Sequence, residues 1–117
     1  MFVNDTTVLA LPRTALADSH TSVSVSATVE HSFEPARVLL GGVHSQSPWK
    51  LIDISVATPE GKQISRTTTA HDLRLLGEIR KGMVVTVRAT NLGSKAERGV
   101  FIVTGKEVDD AHADSNG

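Results

Sequence analysis

Five histidines are the residues of this sequence that could most readily carry chemistry, because imidazole binds metals and transfers protons near neutral pH. They are His20, His31, His44, His71 and His112. No two of them stand at the short spacings that place two ligands on one helix or one strand face. A metal site would therefore need the fold to bring His31, His44 and His71 together, with Asp53 or Asp72 beside them. The spacing favours exposed or singly hydrogen-bonded histidines, and we predict no metal site.

Covalent and acid–base catalysis have equally little support in the sequence. Cys is absent, which removes thiolate nucleophiles, disulfides and every Cys-containing zinc or copper site. No Ser lies in a Gly-x-Ser-x-Gly elbow, so a catalytic triad would have to assemble across loops. Five carboxylates are separated in sequence: Glu30, Glu34, Asp53, Glu60 and Asp72. Two more, Asp109 and Asp110, lie together in a polar tail, and we interpret all seven as solvated surface groups. The sequence therefore predicts a protein that is not an enzyme and that uses no cofactor.

Recognition by loops is the remaining kind of site. Trp49 is the only Trp, and its indole could stack on a ligand or cover one edge of the core. Its place after Pro48, at the start of an apolar run, favours the core position. The polar loop after Asn91 carries Lys95 and Arg98, and sandwich domains commonly bind partners through such loops. Trp49, Lys95 and Arg98 are therefore the candidates for a recognition surface.

Strands are the elements that must position these residues. Residues 22–29 alternate Ser or Thr with Val or Ala, and this period of two predicts a strand with one polar face. Residues 49–57 predict a second strand, with Ile52, Ile54 and Val56 sharing one face. Asp53 and Ser55 alternate with them on the other face. A shorter and weaker strand is predicted at residues 37–41.

Turn signals divide the rest of the chain into short elements. A Pro-Glu-Gly turn precedes residues 63–69, whose Ser and Thr content predicts a polar edge strand. Residues 70–79 have helical spacing interrupted by Gly77, which limits any helix to one turn. Residues 83–91 and 100–108 predict two further strands, and the loop between them predicts an antiparallel hairpin. The segment 82–93 resembles the late hairpin of immunoglobulin-like and cupredoxin-like sandwiches, in which an alternating strand ends in Asn-x-Gly.

These elements predict an all-β fold: a small antiparallel β-sandwich, jelly-roll or immunoglobulin-like, with an open barrel as the alternative. The length of 117 residues suits one domain with one core. The hydrophobic fraction is 39%, but the chain has only three Phe, one Trp and no Tyr. Small and β-branched side chains must therefore fill the core, which is typical of two packed sheets.

The two ends differ from this domain, which we place at residues 21–108. Residues 1–20 hold Phe2, Val8, Leu9, Leu11 and Leu16, and an arm this apolar is expected to dock on its own domain or on a neighbour. Residues 109–117 form a polar tail whose composition predicts disorder. The first residues lack a basic region before a long apolar stretch, so we expect no signal peptide.

Charge and hydropathy exclude two classes of partner. The 12 Lys and Arg balance 13 Asp and Glu and are scattered along the chain, so we expect no nucleic-acid partner. No apolar run approaches the length of a membrane span, and we expect a soluble protein. The favoured hypothesis is a non-enzymatic structural subunit, such as a capsid, capsid-decorating or surface-layer protein, that binds itself or a scaffold through its arm and edge strands. A ligand-binding or adhesion module and an enzyme with an unseen metal or carboxylate site are the alternatives.

Overall fold

The computed structural model describes residues 6–10, 15–42, 48–69 and 72–108, with side chains for residues 17–41, 48–69 and 72–108. Several sequence predictions lie outside the described residues: those for Phe2, Leu11, His44, His71, His112, Asp109, Asp110 and the polar tail. For Val8, Leu9 and Leu16 only the backbone is described.

The described residues form two antiparallel sheets, each of four strands. Sheet A contains β1 (Thr6–Ala10), β2 (Ala15–Ala17), β4 (Phe33–Gly42) and β8 (Glu97–Glu107). Sheet B contains β3 (Ser22–Thr28), β5 (Trp49–Ala57), β6 (Gln63–Thr67) and β7 (Val84–Asn91), in the order β3-β7-β5-β6. In sheet A, β8 is central, with β4 on one side and both β1 and β2 on the other. The predicted all-β sandwich is confirmed.

Most of the residues between the sheets are aliphatic, as the composition predicted, and three aromatic side chains pack among them. The core is made of Val29, Phe33, Val38, Trp49, Ile54, Val56, Leu73, Leu76, Ile79, Val85, Val87, Ala89, Phe101 and Val103, with Ala17 at its edge. Burying each large side chain contributes about 1.5–3 kcal/mol. A single 3-10 turn, Leu73–Leu76, places two leucines over one end of this core, which confirms the prediction of no more than one helical turn.

Most of the predicted strands are confirmed where the period of two was clear. In β3, the Ser and Thr side chains are exposed and the alternating Val and Ala are partly buried against the core. β5 begins and ends at the predicted residues, Trp49 and Ala57. β6 is a polar edge strand of sheet B, as predicted. β4 is longer than the predicted strand 37–41 and includes Pro35, next to which its pairing with β8 contains a bulge.

The predicted hairpin of the last two strands is wrong. β7 lies in sheet B and β8 in sheet A, so the loop between them crosses from one sheet to the other. The crossing places each strand between two neighbours: β7 between β3 and β5, and β8 between β4 and the pair β1 and β2. Each of these strongly apolar strands thereby has both backbone edges hydrogen-bonded, which a two-stranded hairpin does not provide.

The predicted faces of β5 also need a correction. The pairing with β7 shifts between Leu51, opposite Ala89, and Asp53, opposite Arg88, so Ile52 is the extra residue of a β-bulge. Leu51 packs against the core and Ile54 is fully buried, whereas Ile52 takes no part in the core. A bulge interrupts the period of two because two residues of one strand oppose one residue of its neighbour.

The apolar N-terminal segment contributes two strands to the domain. The domain therefore includes residues before the predicted boundary at residue 21. Residues 6–10 pair with β8 around Val103, and residues 15–17 pair with β8 around Arg98. The described part of the predicted arm therefore lies in the protein's own sheet A. Removing these residues would expose one backbone edge of β8.

Candidate interaction surface

An ion cluster around the buried Asp53 carboxylate occupies the outer face of sheet B. The Asp53 side chain is 3% exposed and accepts hydrogen bonds from Arg66, at 2.8 Å, and from Arg88 on the neighbouring strand. Hydrogen bonds from Arg88, and then from Arg66, lower the pKa of Asp53 to about 2, although burial opposes them. The prediction that every carboxylate is a solvated surface group is wrong for Asp53. The two arginines cover its charge and tie three strands together.

This cluster predicts acid-sensitive stability. The pKa of Asp53 falls from 3.8 to about 2 on folding, so its contribution is complete above about pH 5 and is lost progressively as the pH falls towards 2. Because both arginines are half-exposed, we expect a loss of about 1–2 kcal/mol in the free energy of unfolding. Urea titrations between pH 2 and 6 measure this loss of stability. The Asp53→Asn variant should lose this part of the pH dependence, and an unchanged profile would contradict the assignment.

A polar cleft of about 640 Å³ beside the 3-10 turn contains two further carboxylates, Glu34 and Asp72, near several cations. It is lined by Glu34, Pro35, Ala36, Arg37, Asp72, Arg74 and Lys106. Asp72 is paired with Arg74 at 2.9 Å, and hydrogen bonding to Arg74 lowers its pKa. A general acid at neutral pH needs a raised pKa, so the shift of Asp72 has the wrong sign for that role.

The structure brings two of the predicted loop residues to the surface and buries the third. Trp49 is 7% exposed and packs edge-to-face on Phe101, with ring centroids 5.4 Å apart. It also lies against the Gly99 backbone, where an added Cβ would be 2.5 Å from the indole nitrogen. Lys95 and Arg98 are exposed near the same end of the sandwich. Lys95 lies in the loop, as predicted, but Arg98 lies in β8, where it pairs with β2. The indole therefore belongs to the core, in agreement with the interpretation that its position after Pro48 favoured.

Asn91 holds the loop that carries Lys95. Its side chain is fully buried, and its Nδ2 donates to the carbonyl oxygens of Ala17, Asp18 and Lys95 at 3.0, 3.3 and 2.9 Å. Its Oδ1 accepts a hydrogen bond of 2.8 Å from the Gly93 N–H. One amide thus connects the end of β2 to the crossing between the sheets. This role of Asn91 was not predicted from the sequence, although the Asn-x-Gly turn was a signal for it.

Metal-binding groups do not converge in the part of the chain that the structure describes. Within residues 6–10, 15–42, 48–69 and 72–108, no three His, Asp or Glu residues are placed to hold an ion. His20 and His31 are both exposed. Convergence of His31 with His44 and His71 stays untested because the last two lie outside the described residues.

An apolar patch lies on the outer face of sheet A, facing away from the core. Leu39 and Val100 are 46% and 38% exposed, and Ile102, directly opposite Leu39, is half-buried. We call Leu39, Val100 and Ile102 the sheet A patch. The other large exposed aliphatics of the described residues are isolated, on β6, the 3-10 turn and the loop after β7: Ile64, Leu75 and Leu92. Only Leu39 and Val100 among these five lie on adjacent strands.

An open groove of about 710 Å³ adjoins the sheet A patch. It runs between β4 and the start of β5 and is lined by Val38, Leu39, Leu40, Gly41, Trp49, Lys50, Leu51, Thr68 and Thr69. Leu39 belongs to both the groove and the patch. Apolar surface therefore continues from the face of sheet A around the β4 edge.

The outer face of sheet B is polar over the strands β3 and β7. Ser22 and Ser26 make hydroxyl–hydroxyl hydrogen bonds with Thr90 and Thr86, at 2.9 and 2.7 Å. The Asp53 cluster covers the centre of the sheet, and Ile64 is exposed at the β6 margin. The two outer faces of the sandwich therefore differ in chemistry.

The chain could not be placed by similarity: no protein-family model, curated protein or solved structure matches it. Within the described residues, no helix has the length and hydropathy needed to cross a membrane.

The sheet A patch was not predicted, but the sequence contains a signal for it. Residues 38–40 and 100–103 are continuous apolar runs, Val-Leu-Leu and Val-Phe-Ile-Val. A strand that is solvated on one face alternates apolar and polar residues, whereas a strand covered on both faces has an uninterrupted run. These two runs pair with each other in sheet A, and their outward side chains form the patch.

Proposed function

We propose that this protein is a non-enzymatic structural subunit of a larger assembly, such as a viral capsid, a capsid-decorating layer or a surface layer. The observation that carries the proposal is the sheet A patch on two adjacent strands whose sequences are those of strands covered on both faces. Exposed apolar side chains that are contiguous within a sheet favour a protein partner, because the partner removes them from water.

The contrast between the two outer faces supports this proposal. The face of sheet B pairs several of its polar side chains with one another, through two hydroxyl pairs and the Asp53 cluster. The face of sheet A offers aliphatic surface framed by the exposed Arg37 and Arg98. An apolar centre with a charged rim is the usual composition of a protein–protein interface.

Light scattering of the purified full-length chain across a range of concentrations tests the proposal. We expect a mass above that of the monomer which rises with concentration. The Leu39→Asp and Val100→Asp variants should weaken this association at least tenfold, because each places a charge in the contact. Ile64→Asp is the matched control: Ile64 is 48% exposed, close to the 46% of Leu39, but lies on sheet B.

Equal weakening by all three variants would mean that the patch has no special role, and a wild-type chain that is monomeric at every concentration would contradict self-assembly. Folding of each variant is checked by its thermal unfolding midpoint. Because the substituted side chains are already partly solvated, we expect small changes in that midpoint.

The groove beside β4 favours a second candidate function, a ligand-binding module. Its lining combines Leu39, Leu40 and Leu51 with the polar Lys50 and Thr68, the mixture that small-molecule sites commonly have. A monomer whose melting temperature rises with one member of a sugar and metal panel would favour this function over assembly.

A further inference from the structure

β3 is a regular edge strand with nothing that protects its outer edge among the described residues. It pairs with β7 in an unbroken register of seven residue pairs, from Ser22 opposite Thr90 to Thr28 opposite Val84. It contains no charged residue and no Pro. Native sheets normally protect such edges with charges, Pro or bulges, because an open edge is a template for another strand.

The other edge strands of the described chain carry this protection. β4 has Pro35 and a bulge, and β6 has Arg66 and a bulge in its pairing with β5. β1 has a register shift in its pairing with β8, and β2, on the same side of β8, is only three residues long. A very short edge strand offers little template for another strand. The lack of protection in β3 is therefore a specific feature of this strand.

The hydrogen bonds at the two ends of β3 identify which backbone groups face outwards. Thr21 accepts from the Asn91 N–H at 2.9 Å, and Val29 donates to the Met83 carbonyl at 2.8 Å. Antiparallel pairs alternate between bonded and non-bonded positions, so the odd-numbered residues of β3 bond to β7. The N–H and C=O groups of the even-numbered residues point away from β7; these are Ser22, Ser24, Ser26 and Thr28, and all four residues are exposed.

The sequence of β3 is nearly symmetric about its central residue. Counting outwards from Val25, Ser24 matches Ser26, Val23 matches Ala27, and Ser22 matches Thr28. A second β3, antiparallel and centred on Val25, would therefore meet a strand of the same pattern with no charge repulsion. Self-complementarity of this kind is what a twofold interface requires.

We propose that β3 pairs with β3 of a second copy of this chain, about a twofold axis at Val25. Ser24 then lies opposite Ser26 of the partner subunit, and Ser22 lies opposite Thr28 of the partner subunit. The four bonded pairs form about eight backbone hydrogen bonds. The two copies of sheet B become one sheet of eight strands, and the half-buried Val23 and Val25 gain apolar neighbours on its inner face.

This inference rests on the proposed assembly and gives it a geometry. A twofold contact by itself forms only a dimer, because it uses the same surface of both copies. The sheet A patch lies on the opposite layer of the sandwich, so it remains accessible in such a dimer. Two contacts on different layers allow dimers to join into a larger array.

The Ser24→Pro variant tests the pairing by light scattering. The backbone N–H of Ser24 points away from β7, so Pro at this position removes no backbone hydrogen bond within the subunit. It prevents only the hydrogen bond to another strand. We expect dimerisation to weaken at least tenfold, with Ser24→Thr as the control that keeps it. The double variant Ser24→Lys and Ser26→Lys brings like charges together across the twofold axis, so it should weaken the dimer even if Ser24→Pro folds poorly.

A designed disulfide tests the register. In the proposed dimer, Val25 lies opposite Val25 of the partner subunit, and this pair makes no backbone hydrogen bonds. The Cα atoms of such a pair are roughly 4.5 Å apart, within the range of a disulfide. The chain has no Cys, so oxidised Val25→Cys should yield a covalent dimer without competing bonds. Ile64→Cys, on the opposite edge of sheet B, is the control that should stay largely monomeric.

The outcomes separate this inference from the proposed function. If Ser24→Pro and the Lys variant keep the wild-type mass while Leu39→Asp lowers it, the β3 pairing is overturned and assembly through the sheet A patch stands. If Val25→Cys cross-links no faster than Ile64→Cys, the twofold register is overturned. If the wild-type chain is monomeric throughout, both proposals fail.

Discussion

The Asn91→Asp variant is expected to lose about 4 kcal/mol of the free energy of unfolding, measured by urea titration at pH 7. The substitution keeps the size of the side chain but replaces its NH₂ by oxygen. Three backbone carbonyl oxygens, of Ala17, Asp18 and Lys95, would then face a buried carboxylate and lose their donor. Repulsion and desolvation act in the same direction, so the effect should exceed that of an ordinary lost hydrogen bond.

Thr90→Ala is the neighbouring control for this variant. It removes one exposed hydroxyl pair, with Ser22 at 2.9 Å, and should cost less than about 1 kcal/mol. The difference in the free energy of unfolding between Asn91→Asp and the wild type should also become smaller at acidic pH. There the carboxyl group that the variant introduces is protonated and can donate one hydrogen bond. An Asn91→Asp variant as stable as Thr90→Ala would mean that the amide does not hold the crossing between the sheets.

The Gly105→Ala variant is expected to lose about 3 kcal/mol of the free energy of unfolding, the second of the two largest effects that we predict. Gly105 lies opposite Pro35 in the pairing of β4 with β8, and an added Cβ would overlap the backbone carbonyl of Glu34. A flexible side chain could move aside, but here the obstacle is backbone. The two strands would have to separate locally, at the end of the sheet where β1 also pairs with β8.

Gly41→Ala is a matched control on the same pair of strands. Its Cβ would meet only the Val100 carbonyl at 3.5 Å, an ordinary contact, and its φ is not positive. We expect the free energy of unfolding to change by no more than about 0.5 kcal/mol. Ala lowers the conformational entropy of the unfolded chain, and this gain offsets a small cost in the folded state. Thermal unfolding followed by circular dichroism compares both variants. Equal effects of the two substitutions would contradict the close approach of β4 and β8 at Gly105.

The fold class was predictable because local patterns were strong. The alternation in β3 and the Ser- and Thr-rich β6 needed only the period of two of a strand, and Gly77 alone limited the helix to one turn. The β7–β8 pairing was mispredicted because a short loop can either return in the same sheet or cross to the other. Which of the two occurs depends on the neighbours that each strand finds, and a local pattern contains no information about them.

The candidate surfaces were predictable only in part. The continuous apolar runs at residues 38–40 and 100–103 signalled strands covered on both faces, but only the register brings Leu39 beside Ile102 on one outer face. The prediction that Asp53 lies on the face of β5 opposite Ile54 and Val56 was correct. Its burial depends on Arg66 and Arg88, which reach it from two other strands.

The sequence by itself determined the all-β class and the polar face of β3, and it favoured the core position that Trp49 takes, since each follows from the period of a strand and the chemistry of neighbouring residues. Only the tertiary structure decided which strands pair, which carboxylate is buried, and which face and edge of the sandwich remain open. These properties depend on contacts between residues far apart in the chain, such as Asn91 with Ala17 or Gly105 with Glu34. Packing of the two sheets, rather than any local pattern, fixes them.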